Sequence, residues 1–211
     1  MSRTRLPFGF CNTTRREGAV VVKEYEGNEA RQRWRTEVEA LADVAGLVEV
    51  PRIVEATEDP PVLVMEFVAG EPAAAEVTDA KLYRMGVLLR QFQTAYDTRS
   101  GRVRIHGDFA PNNILIGADG AITAVLDWEW SRFGDPVTDA AWMEWVLRMH
   151  YPGTTVAAFY QGYGYQPEWR VRHLSMMDAV SLRADRWVTD PQPWKQRLAA
   201  TAELGELDIQ V

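Results

Sequence analysis

The chain of 211 residues holds one cysteine, Cys11, and three histidines. A lone thiol closes no internal disulfide, and so few soft ligands build no His/Cys zinc cluster, so any bound metal must be held by oxygens. No apolar run approaches the roughly 18 residues of a membrane-spanning helix, and the opening MSRTRLPFGF has two arginines but no apolar leader segment. Internal repeats are missing, as are low-complexity tracts beyond the short AAA at 73–75. Cationic excess is missing too. The 23 Lys and Arg face 30 Asp and Glu, a net charge of −7, whereas a sequence-independent nucleic-acid binder needs a basic face. These absences leave a globular, cytoplasmic protein with neither nucleic acid nor membrane as partner.

What is present is 46% apolar and 25% charged residues, enough for a real core as one large domain or two small lobes. Residues 101–140 carry six carboxylates against three cations. That concentration marks where chemistry is to be sought.

The first third reads as strands around one helix. A β-branched run in AVVVKEY follows the Glu17-Gly18 turn signal and suits the second arm of a hairpin. Asn28 is placed as an N-cap for a helix carrying Trp34, Val38, Leu41 and Ala45 on one face, with Gly46 as its stop. Apolar runs at 52–57 and 62–67 flank the turn Asp59-Pro60-Pro61. The pattern then changes: Thr78 caps a helix with Leu82, Met85, Leu89, Phe92 and Tyr96 on one face. Short strands are predicted at 103–106, 114–116 and 122–126, the last two joined by Asp119-Gly120. From Asp139 the chain is helical, broken at Gly162, Gly164 and Pro167, with later helices at 175–187 and 194–204. The division falls at residue 68: a nucleotide-binding lobe, 1–68, and a catalytic and acceptor-binding lobe, 69–211.

The segments HGDFAPNNIL, 106–115, and VLDWEWS, 125–131, bring Asp108, Asn113 and Asp127 into a strand-loop-strand-loop arrangement. Oxygens on Asn113 and Asp127 suit a hard divalent cation such as Mg²⁺, which takes few carboxylates and fills its shell with waters and phosphate oxygens. Asp108, five residues before Asn113, is suited to accept a proton from a hydroxyl nucleophile. Singly, each reads as readily as an Asx turn or helix cap. Together they match the catalytic loop and metal aspartate of kinases.

The segment resembles the aminoglycoside phosphotransferase and choline kinase family of small-molecule kinases, through His106-Gly107-Asp108, Asn113, Asp127-Trp128, Gly134-Asp135-Pro136 and Asp139, in order across 34 residues. The resemblance implies an α+β, bilobal protein-kinase-like fold with a short N-terminal sheet-plus-helix lobe and a mostly helical C-terminal lobe. It implies Asp108 as catalytic base and Asn113 and Asp127 as Mg²⁺ ligands. His106 braces the loop, and Asp135 and Asp139 order it. Glu129 faces either the substrate or solvent.

In the first lobe the resemblance assigns Lys23 to the nucleotide phosphates and Glu37 as its partner, since Glu37 shares the inward face of Trp34 and Leu41. Residues 65–68, with Glu66 and Val68, fall at the adenine hinge, and Val22 and Met65 are candidates to line it. Residues 7–14, PFGFCNTT, form the phosphate-covering loop with Asn12 and Thr13 as candidate contacts. Cys11 there is a tolerated small residue, because no His or Lys is placed to activate it.

The implied reaction moves the γ-phosphoryl of ATP to a hydroxyl of a small molecule, with Mg²⁺ as cofactor. Gly107 where protein kinases keep Arg, and Trp128-Glu129 in place of Phe-Gly, favour a small acceptor over a protein. The alternative is a nucleotide-binding pseudokinase or regulatory module, motivated by the 22 residues before Lys23. Residues 141–211 hold eight acids against seven bases, which weakens a polycationic acceptor. Several of the eight tryptophans offer stacking or a cation-π cage. A short first lobe leaves a sheet edge that a homodimer could cover.

Overall fold

The structure is a computed structural model that describes residues 3–5, 12–95, 103–186 and 192–207. Tyr96, Cys11, Trp187 and most of the expected loop at 7–14 lie outside the described residues. The chain divides into two compact units: residues 1–72 with 112–132, and residues 73–111 with 133–211. This differs from a single cut at residue 68, because the hairpin that carries Asn113 and Asp127 belongs with the first unit.

The first unit is built on a five-stranded antiparallel sheet in the order β1-β2-β3-β5-β4, formed by β1 (Arg3–Arg5), β2 (Asn12–Glu17), β3 (Val20–Tyr25), β4 (Ile53–Glu58) and β5 (Pro61–Glu66). β2 and β3 make the expected hairpin, turning at Gly18 with φ 64°, a left-handed conformation that costs a glycine little. Helix α1 (Ala30–Val44) packs on β3, β4 and β5. Its N-terminus corrects the sequence expectation. Glu29, not Asn28, is the capping residue, with φ 56° and no side-chain capping bond. The Asn28 carbonyl accepts from Arg33 Nε at 3.2 Å instead. Gly46 follows the helix with φ 81°, as the stop requires. A three-stranded sheet, β6 (Glu71–Pro72), β8 (Ile114–Ile116) and β9 (Ile122–Val125), completes the unit.

The register decides which side chains share a face. In β3 and β5, Lys23 lies opposite Leu63 and Val21 opposite Met65, while Val22 lies opposite Val64. Side chains alternate across a strand, so paired residues share a face and neighbours do not. Met65 therefore stands on the Lys23 face, and Val22 on the other. The expectation that Val22 and Met65 line one pocket is corrected: Val21 is the residue that shares Met65's face.

The second unit is mostly helical: α2 (Asp79–Ala95), α3 (Val137–His150), α4 (Val156–Tyr163), α5 (Trp169–Arg186) and α6 (Gln192–Ala202), with β7 (Val103–Ile105) paired to β10 (Arg132–Gly134). Thr78 caps α2 through Lys81 N at 3.4 Å, and Leu82, Met85 and Leu89 are fully buried, each contributing about 1.5–3 kcal/mol. α2 and α4 make their closest approach at glycines. A Cβ on Gly86 would lie 2.1 Å from the Phe159 carbonyl oxygen, and one on Gly162 2.0 Å from that of Tyr83. Gly162 thus sits inside α4 rather than breaking it, and Gly164, with φ 90°, ends the helix. α5 begins at Trp169, six residues before the expected start at 175.

Candidate active site

In the first unit, β3 and α1 deliver a buried cation to a group of carboxylates. Lys23 Nζ lies 2.6 Å from Glu37 Oε2 and 2.6 Å from Asp127 Oδ1, with Glu129 Oε2 at 3.8 Å. Glu37 reaches it because helical spacing sets it on the buried face of α1 with Trp34 and Leu41. Its Oε2 also accepts from the Tyr25 hydroxyl at 2.5 Å, and its Oε1 from the Trp128 backbone N–H at 3.3 Å. Lys23 is 6% exposed and Glu37 2%, so neither charge is screened by water.

The electrostatics follow from this crowding. Burial alone would push the Lys23 ammonium down, but Asp127 and Glu37 outweigh it and hold the group well above its ordinary 10.5. Burial raises the Glu37 carboxyl above its usual value against the pull of Lys23, and the Asp127 and Glu129 charges add to the rise. Burial and the Glu37 carboxylate raise the Tyr25 phenol, so it stays a donor.

Glu129 is not solvated, which corrects that half of the sequence expectation; its carboxylate joins the Lys23 cluster. It is 6% exposed, accepts from Arg33 Nη1 at 3.1 Å and from Asn12 Nδ2 at 2.8 Å. Arg33 Nη1 also donates to Asn12 Oδ1 at 2.7 Å. Burial of a carboxylate demands such partners. Asn12 and Thr13 are therefore strand residues of β2: Asn12 is committed to this network, and Thr13 donates to Glu26 Oε1 at 3.2 Å on an exposed edge. Arg33 carried no motif, and only its place four residues before Glu37 on the same helix could have drawn attention to it.

Asn113 and Asp127 flank the open end of the β8–β9 hairpin, where the Leu126 N–H donates to the Asn113 carbonyl at 2.8 Å. The Asn113 side chain is buried, and its Oδ1 accepts from Asn112 Nδ2 at 2.9 Å. Asp127 has φ 64°, a left-handed conformation that costs a non-glycine residue roughly 1–3 kcal/mol and clusters at functional sites. The donors here are all oxygen, which fits Mg²⁺ better than a softer metal. Glu37, Asp127 and Glu129 place ligand oxygens within 4.8 Å of one another, with the Lys23 ammonium as their counter-ion. At the expected hinge, Glu66 ends β5. Its side chain turns to an exposed ion pair with Arg52, and its amide donates to the Arg52 carbonyl at 2.9 Å. Val68 follows, half-buried, beyond the strand.

In the second unit, the loop after β7 carries Asp108. Its Oδ1 accepts from Trp142 Nε1 at 2.8 Å and from Arg183 Nη2 at 2.8 Å. The buried Asp139 carboxylate takes the backbone N–H groups of His106 and Gly107, both at 2.8 Å, and His106 Nδ1 accepts from the Asp108 N–H at 3.1 Å. His106 thus bonds to backbone. Asp135 Oδ1 caps α3 at Val137 N, 2.9 Å away. Gly107 has φ 79°, which lets the loop turn between these anchors. Arg183, 4% exposed on α5, had no motif to mark it.

The fold of these units is that of the kinase-like phosphotransferases. The gentamicin complex of APH(2″)-IIa matches with TM-score 0.72 and 12% identity, over 97% of this chain and 92% of that one. A choline kinase from Streptococcus pneumoniae matches at 0.70 and 15%, over 95% and 94%. A macrolide 2′-phosphotransferase from Brachybacterium faecium matches at 0.67 and 17%, over 98% and 93%. Identities this low speak for the fold alone. Among sequence families, the phosphotransferase enzyme family matches residues 97–174, and the RIO domain matches residues 17–131. Both include the stretch from His106 to Asp127. The RIO domain covers more than half of the chain, so the chain belongs to the RIO-domain family; the phosphotransferase enzyme family matches a shorter part of it. No curated protein sequence matches the chain. Among the described residues, no helix is long and apolar enough to cross a membrane.

Proposed function

We propose that the protein transfers the γ-phosphoryl group of ATP to a hydroxyl of a small molecule, with Mg²⁺ as cofactor. The observation that carries this reading is the buried Lys23 ammonium held 2.6 Å from both Glu37 and Asp127. A fixed cation beside a strained aspartate is a device for gripping nucleotide phosphates. A structural ion pair alone would not need Asp127 in the left-handed region.

In this reading residues 1–68 hold the nucleotide. Lys23 binds phosphate oxygens and Glu37 aims it. The backbone around Glu66 and Val68 meets the base. Asn113 and Asp127 hold Mg²⁺, which when bound neutralises charge on the phosphate oxygens. Residues 69–211 receive the acceptor. Asp108 accepts the hydroxyl proton as the new O–P bond forms, the bond from the γ-phosphorus to the bridging oxygen breaks, and ADP leaves.

The acceptor is an antibiotic, sugar, nucleoside or amino alcohol; the structural neighbours include phosphotransferases named for aminoglycoside, macrolide and choline. One tryptophan is subtracted from any amine-binding cage. The Arg183 guanidinium carbon lies 3.5 Å from the Trp142 ring centroid, so that face already carries a cation. The test is ADP release with Mg²⁺-ATP across aminoglycosides, macrolides, nucleosides, sugars and choline-like amines. Stimulation by one class supports the reading. Mg²⁺-dependent thermal stabilisation by ATP with no turnover in any arm supports the pseudokinase instead.

A further inference from the structure

We infer that Arg183 is a positioning residue for the Asp108 carboxylate. It fixes which oxygen of that group faces the acceptor and holds the loop that carries it. The inference rests on the reading of Asp108 as the base.

The argument starts from where the guanidinium is held. Nη1 donates to the Ala179 carbonyl, four residues back on the same helix, at 3.2 Å. The plane lies over Trp142, and Trp142 in turn stacks on Trp145 with centroids 4.7 Å apart and an interplanar angle of 13°. Trp145 stacks on Trp194 at 6.4 Å and donates to Thr201 Oγ1 at 2.7 Å. The layers Arg183, Trp142, Trp145 and Trp194 come from α5, α3 and α6, so three helices fix the height of the guanidinium. A group held this way loses little further freedom when it binds a carboxylate.

From that position a single nitrogen, Nη2, makes two bonds of 2.8 Å, to the Gly107 carbonyl and to Asp108 Oδ1. One bond sets the backbone of the loop and the other sets the side chain. Trp142 Nε1 donates to the same Oδ1 at 2.8 Å. Two donors on Oδ1 fix the torsion of the carboxylate and thereby the direction of Oδ2, the oxygen we assign to the acceptor hydroxyl. The other charged and titratable groups around the loop act on its backbone: His106 Nδ1 accepts from Asp108 N–H, and the Asp139 carboxylate binds the amides of residues 106 and 107. Arg183 brings a formal charge to the Asp108 side chain.

A purely structural arginine would keep the unit folded and do nothing else. A positioning arginine changes the rate without changing nucleotide binding. The experiment uses the full chain with Mg²⁺-ATP and whichever hydroxyl compound stimulates ADP release, or water as acceptor where the basal hydrolysis is followed. Arg183→Gln is expected to lower kcat about 10²-fold with KM for ATP within twofold of wild type, the scale of a one-ångström misplacement of a reacting group. Arg183→Lys is expected to recover about tenfold of that loss, since an ammonium reaches one acceptor but lacks the planar fork. The Trp142 indole N–H resonance, assigned with Trp142→Phe, reports the geometry without turnover; it shifts in Arg183→Gln as its acceptor oxygen swings.

Wild-type kcat in a folded Arg183→Gln protein overturns the inference, as does an unmoved indole resonance. If Arg183→Gln does not fold, Arg183→Lys decides alone: full activity with an unmoved indole signal overturns the inference, and a kcat-only loss supports it. Asp108→Asn separates this from the underlying reading, because wild-type turnover in that variant removes the base itself, whatever Arg183 does.

Discussion

The two units solve opposite versions of one electrostatic problem. In the first, a cation is buried among carboxylates: Lys23 faces Glu37, Asp127 and Glu129. In the second, a carboxylate is gripped by a cation and an indole: Asp108 faces Arg183 and Trp142. The first surrounds its central cation with carboxylates in excess, a field that favours a further cation. The second uses one positive group and shape, and so gains direction. In the proposed function, binding asks for field and proton transfer asks for aim, and the difference between the units matches that division of labour.

The comparison breaks first at Asp108. Asp108→Asn keeps the shape and donors but removes the proposed proton acceptor, so turnover is expected to fall by about 10² to 10⁴, measured as ADP release at saturating ATP. Lys23→Met acts on the other unit. It leaves Glu37 and Glu129 buried without their shared cation, and the midpoint of chemical denaturation is expected to drop by the equivalent of about 3 kcal/mol. A midpoint within 0.5 kcal/mol or so of wild type would mean that the cluster relaxes into water and holds no stored field.

These partners show how far the sequence can be read. Asp108, Asn113 and Asp127 lie within a short span and carry spaced motifs, so their pattern is local and legible. Glu37 was legible too, since helical periodicity alone puts it with Trp34 and Leu41. Arg33, Glu129, Trp142 and Arg183 were not. Arg183 meets Asp108 across 75 positions of sequence, and Arg33 meets Glu129 across 96. No spacing rule connects such pairs, because the helices that bring them together are placed by tertiary packing. The fold followed the same logic. The Gly18 and Gly46 turns, the two strands around Pro60 and the Thr78 cap are local and were readable. Asn28 was a plausible cap that lost to Glu29, and Gly162 looked like a breaker because the sequence does not show that Tyr83 lies against it.

A smaller effect sharpens the helical side. Gly162→Ala places a methyl 2.0 Å from the Tyr83 carbonyl oxygen, so α2 and α4 must separate. Overpacking of this kind costs roughly 1–3 kcal/mol, read as a lowered Tm, while Mg²⁺-ATP affinity is expected to stay unchanged.

The smallest effect is in pH dependence, where the units again differ in sign. Lys23 is held above 10.5, so its share of stability is complete below about pH 10.5 and is lost as pH rises through the higher folded value. His150 is exposed on α3, and burial of part of its ring together with Arg197 lowers it below 6.5. Its share is present above pH 6.5 and is lost as pH falls through the lowered value. Urea midpoints from pH 5 to pH 8 are expected to show a shallow acid-side decline that His150→Gln flattens. An unchanged decline in that variant would assign it elsewhere.

The most direct test of the division of labour measures Mg²⁺-ATP affinity by calorimetry and turnover by ADP release in the same preparations of wild type, Asp127→Ala and Asp108→Asn. The account expects Asp127→Ala to lose Mg²⁺-dependent ATP binding, and Asp108→Asn to bind as wild type does while turnover collapses. Equal loss of binding in both variants, or undiminished binding in Asp127→Ala, would contradict it.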